Sequence, residues 1–106
     1  MNRRSVTPWS DSELEATVLA YFEYWMTPLS ARPTKRSLYR ALAGRFPGRV
    51  DGAFERKFQN ISAILVARGH RHLPGLKPMP NIQLALRDHV LGYLRSNPTL
   101  WSKVRD

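Results

Sequence analysis

Each stretch of this chain with regular hydrophobic spacing stops at a proline or a glycine, and the spacing is helical every time. Leu14, Val18, Tyr21, Phe22 and Trp25 recur at three and four residues until Pro28. Ser10-Asp11-Ser12-Glu13 ahead of them has the form of a capping box, with Trp9 and Leu14 placed for a hydrophobic staple. A first helix is therefore predicted from about Asp11 to Met26. Thr34 is a suitable cap for a second helix with Leu38, Ala41, Leu42 and Phe46 turned inward, ending at the Pro47-Gly48 turn. The third starts near Asp51, carries Phe54, Phe58, Ile61 and Leu65 on one stripe, and stops at Gly69. Three prolines and a glycine make 70–80 a rigid, partly extended loop. Asn81 then caps a fourth helix with Ile82, Leu86, Val90, Tyr93 and Leu94, which Asn97-Pro98 closes. No strand-like alternation, internal repeat or low-complexity segment occurs.

The expectation is thus an all-α, four-helix domain with a helix-turn-helix-like central pair. At 106 residues and 42% apolar, the chain suits one domain of 1–106 with an ordered core over about 8–95. Residues 99–106 either pack back or begin a linker to a further domain. The absence of cysteine excludes disulfides, thiolate metal sites and a cysteine nucleophile, and suits a reducing cytoplasm. Met1-Asn2-Arg3-Arg4 is followed by Pro8 and acids rather than by an apolar run, so no secretory leader is expected. Ala16 to Met26 is too short for a membrane span and contains Glu23.

Charge is unevenly placed. Residues 32–77 hold eleven Lys and Arg against Asp51 and Glu55, a net +9, whereas residues 1–31 sum to −2 and residues 78–106 to +2. A positive field confined to one segment steers a polyanion onto one face and releases its counterions on contact. Nucleic acid is the partner this implies, against the plainer alternative of arginines scattered over solvated faces. Arg36, Arg40, Arg45, Arg49 and Lys77 are placed to anchor phosphates. At 100° per residue Arg56, Gln59, Asn60 and Ala63 oppose the apolar stripe of the third helix, where Arg, Gln and Asn read base edges. Asn60 and Ser62 have a second reading, as groups that satisfy loop backbone beside the core.

Catalytic signatures are missing. His70, His72, Asp88 and His89 form no ligand set at a recognised metal spacing, and no Gly-rich phosphate loop, nucleophile elbow or metal-binding helix motif occurs. The chain is expected to be neither an enzyme nor a carrier of a cofactor or metal.

Trp9-Ser10-x-x-Glu13-Leu14, then Glu55-x-Lys57-x-Gln59-Asn60-Ile61-Ser62-Ala63-x-Leu65, then Gly75-x-Lys77-Pro78-x-x-Asn81-x-Gln83, resembles a known pattern. It is similar to the helical N-terminal module ahead of nuclease domains in bacterial restriction-type proteins, including HNH endonucleases and methylcytosine-specific restriction enzymes. The resemblance spans roughly residues 8–95. Leu76 stands where the family tends to carry an aromatic, and Ala53 where it commonly has Ser.

The resemblance implies a targeting module for double-stranded DNA, with modified bases as a ligand class and an effector domain following or in trans. It adds Lys57 to the phosphate contacts, Ser62 to the base-reading set of Arg56, Gln59 and Asn60, and Asn81 and Gln83 as loop contacts. The main rival is a docking module, in which the small-residue face of the third helix, at Ala63 and Ala67, meets another protein and the basic surface is incidental.

Overall fold

Ser10 opens the first helix through a reciprocal pair: the Glu13 amide donates to Ser10 Oγ (3.2 Å) and the Ser10 amide to Glu13 Oε1 (2.9 Å). A computed structural model of the chain describes residues 8–105, so the Met1-to-Arg4 stretch and Asp106 lie outside the described residues. Within them the architecture is all α: α1 (Asp11–Met26), α2 (Lys35–Arg45), α3 (Asp51–Ala67), α4 (Leu84–Ser96) and a one-turn α5 (Trp101–Val104). Single 3-10 turns follow α1, at Leu29–Ala31, and precede α5, at Pro98–Leu100. No helix among the described residues is long and apolar enough to cross a membrane.

Two caps match their sequence signals. The Ser37 amide donates to Thr34 Oγ1 at 3.1 Å and starts α2. At the far end of α3, Gly69 adopts φ +76°, its amide reaches the Val66 carbonyl and the His70 amide reaches Leu65 (both 2.9 Å). This pair closes the helix as a left-handed glycine stop does.

Tyr21, Phe22, Phe54, Phe58, Ile61 and Leu65 form the centre of the core, with Leu86, Val90 and Leu94 of α4 closing it. Tyr21 meets Phe22 and Phe58 edge-on at 5.1 and 5.4 Å, the favoured geometry for buried rings.

Two expectations change, and one open alternative closes. The inward face of α2 is Tyr39 and Leu42 with Phe46 half-buried, while Ala41 is exposed, because the larger Tyr39 ring packs edge-on to Phe58 at 5.2 Å. Asn81 does not cap α4. It sits exposed at φ 70° in a connection that runs extended to Gln83, which takes the N-cap position without a side-chain cap. Of the two alternatives for the final segment, the described residues up to 105 pack back: Leu100 and Val104 are buried, and the Val104 carbonyl accepts the Arg71 amide at 2.8 Å.

Candidate nucleic-acid interface

The eleven cations of residues 32–77 divide by what their side chains touch. Arg32 closes the end of α1, donating from Nε to the Thr27 carbonyl and from Nη2 to the Trp25 carbonyl, both at 2.8 Å. Those carbonyls have no partner within the helix, and a cation there also meets the negative end of its dipole. Arg49 forks onto Glu13, Nε to Oε2 at 2.7 Å and Nη2 to Oε1 at 2.9 Å, while a second bond runs from Nη2 to the Pro8 carbonyl at 3.1 Å. Both partners are largely covered, with side-chain exposures of 15% and 13%.

Glu13 therefore serves the α1 cap and the cross-link to residue 49 together. The Arg49 guanidinium holds its carboxyl down to about 2, Ser10 helps, and partial burial opposes them. Lys57 completes this cluster. Its ammonium lies 5.0 Å from the centre of the Trp9 ring, with the Arg49 guanidinium 4.6 Å from the same centre. Burial, and then the Arg49 charge, push the Lys57 pKa down. Arg49 and Lys57, two predicted phosphate ligands, are thus built into the junction of α1, α3 and the segment before α3.

The remaining cations stay in water. Arg36, Arg40, Arg45, Arg56, Arg68, Arg71 and Lys77 are exposed and Lys35 is half-exposed. Arg40 keeps 70% of its side chain exposed and meets Asp51 only at 3.9 Å. Lys35, Arg36 and Arg40 border a cleft of about 500 Å³ whose other side is Asp51, Gly52 and Glu55 at the start of α3. Tyr39 also lines it, and its hydroxyl is the one buried side-chain polar atom without a hydrogen-bond partner among the described residues. Burial, then Glu55, raise its pKa.

The base-reading set comes apart. Asn60 is 2% exposed, and its Nδ2 donates to the Met79 carbonyl at 2.6 Å and the Pro80 carbonyl at 3.3 Å. The Met79 amide in turn donates to the Gln59 carbonyl at 3.0 Å. Ser62 is fully buried, its Oγ 2.9 Å from the Tyr21 hydroxyl, which accepts the Leu73 amide at 2.9 Å. Both side chains hold the 70–83 loop to α3, so neither presents a polar edge to a ligand. That loop covers the middle of the face expected to read bases, leaving Gln59 and Ala63 half-buried and Arg56 exposed. Gln83 Nε2 donates to the Trp9 carbonyl at 3.3 Å. Sequence reasoning missed Tyr39 and the helix-closing role of Arg32; an arginine a few residues beyond a proline-terminated helix was the available signal for the latter.

No group of three or more His, Cys, Asp or Glu among the described residues is placed to hold a metal ion. Comparison with protein-family models, curated proteins and solved structures found no match. Several motif residues through which the restriction-module resemblance runs, Ser10, Glu13, Asn60, Ser62 and Gln83, bond to the chain's own backbone or core. They report on how the helices and loop are held.

Proposed function

We propose that this domain binds double-stranded DNA through its phosphate backbone and serves as the targeting part of a restriction-type nuclease. The observation that carries the reading is the exposed set on α2, α3 and the loop: Arg36, Arg40, Arg45, Arg56, Arg68, Arg71 and Lys77, with Asp51 the sole carboxylate within 4.0 Å of any of them among the described residues. Phosphates need only such accessible donors, whereas base reading needs a side chain at a groove floor. Arg36, Arg40, Arg45 and Lys77 take the backbone. Arg56, near the open start of α3, is the remaining candidate for a base edge.

Fluorescence anisotropy with labelled duplexes over a salt series tests this. Neutralising ~5 phosphates gives a slope of log K against log salt of about −4 to −5. Absence of binding at low salt, or a flat salt dependence, overturns the proposal. Matched duplexes with methylated or hydroxymethylated cytosine test modified-base sensing, for which one methyl in an apolar contact supplies about tenfold. Equal affinities remove that part and leave backbone binding intact.

A further inference from the structure

Away from the cationic cleft, the far half of α3 and the segment before α4 enclose an apolar slot of about 210 Å³. Ala63, Ile64 and Ala67 line it from α3, Pro80, Asn81 and Ile82 from the segment, and Arg68 and Arg87 complete it. Both arginines are exposed; Arg87 meets only its neighbour Asp88, at 3.8 Å, and Arg68 forms no ion pair among the described residues. An apolar side chain flanked by carboxylates is the complementary shape and charge.

The chain itself carries that pattern. Residues 8–31 contain four acids and no Lys or Arg. Glu15, Leu19 and Glu23 follow one another at four-residue intervals on α1, which puts them on one face of the helix. All three are exposed, Leu19 at 37%, and Met26 continues the apolar ridge at 42%. Glu15 and Glu23 make no ion pair among the described residues, whereas on the same helix Glu13 pairs with Arg49 and Asp11 lies within hydrogen-bond distance of the His89 ring.

We propose that the slot receives the Glu15-Leu19-Glu23 ridge of a second copy of this chain, joining copies head to tail. Leu19 enters between α3 and the Pro80-Ile82 segment while the two glutamates meet Arg68 and Arg87. Ridge and slot are different patches, so each pairing leaves one of each unused and assembly continues past two unless the rotation closes a ring. The interface is small and the copies repel through their net charge, so association is weak, with a Kd on the order of 100 µM. It needs no nucleic acid, and its failure leaves DNA binding untouched.

Sedimentation equilibrium of the full chain from about 10 µM to about 1 mM, at ~0.1 M salt, tests it. The weight-average mass is expected to climb from 12.2 kDa with concentration. Leu19→Arg blocks the ridge and Ala67→Arg the slot, at exposed positions, so each variant alone stays at monomer mass. An equimolar mixture of the two forms a dimer and nothing larger, since one intact ridge and one intact slot remain. Arg68→Glu replaces Ala67→Arg if the latter shifts the melting temperature, and weakens association about tenfold or more. A wild-type chain that stays at monomer mass overturns the proposal. So does growth that neither variant stops, or a mixture of variants that does not pair.

Discussion

The outer side of α2 and the loop-facing side of α3 carry similar polar residues and treat them in opposite ways. On α2, Arg36 and Arg40 stand in water with little to hold them. On α3, Asn60 and Ser62 vanish under a proline-rich loop, whose backbone Asn60 satisfies directly and Ser62 only through the Tyr21 hydroxyl. A polar residue left in water costs the fold nothing and remains available to a ligand. The same residue, once covered, must find partners inside, and its loss then exposes a desolvation penalty. The basic α2 face is thus the part free to bind, and the α3–loop seam is the part that holds the domain together.

The seam should break first. Asn60→Ala strands the Met79 and Pro80 carbonyls, and is expected to destabilise the fold by about 3 kcal/mol. In a thermal melt that is a drop of roughly 10–20 °C. At temperatures where the variant is still folded its DNA affinity should match wild type; a selective loss on one duplex would return Asn60 to the reading face. Tyr21→Phe removes the hydroxyl that accepts the Leu73 amide and neighbours Ser62, with an expected cost of about 2 kcal/mol in chemical denaturation.

Glu13 sharpens the contrast by pH. Its carboxyl is held near 2 in the folded chain against an ordinary 4.5, so folding favours the charged form. That stabilisation is complete above about 4.5 and fades as pH falls toward 2. Stability followed by urea unfolding should decline across this window, and Glu13→Gln should flatten the decline while lowering stability at neutral pH. An unchanged acid limb would remove the Glu13–Arg49 fork as its source.

The smallest effect on folding belongs to the open face. Arg40→Ala should leave the unfolding free energy within about 0.5 kcal/mol of wild type, weaken all duplexes alike and reduce the salt slope by about 1. Arg49→Ala should do the reverse, lowering the melting temperature and leaving the slope unchanged. Equal effects of the two on binding would erase the division between structural and free cations.

Local signals along the chain determined the helices. The Ser10–Glu13 box, Thr34 and the Gly69 stop act within a few residues of themselves, so the limits of α1 and the start of α2 were legible directly. The positive segment was legible too, since charge is additive along a chain. Tertiary structure alone decided which charges stay free. Arg49 meets Glu13 thirty-six positions away, Asn60 meets Met79 nineteen away, and Tyr21 meets Ser62 forty-one away. None of these pairs follows from helical periodicity, which ranks faces by hydrophobicity and is blind to a loop that folds across the polar one. Periodicity alone puts Asn60 on the outward face, with loop backbone as its other reading, and leaves Arg49 among the phosphate ligands; the loop partners decide for the second reading of Asn60. Burial under a distant segment, with the obligation to satisfy its backbone, moved both from surface to structure.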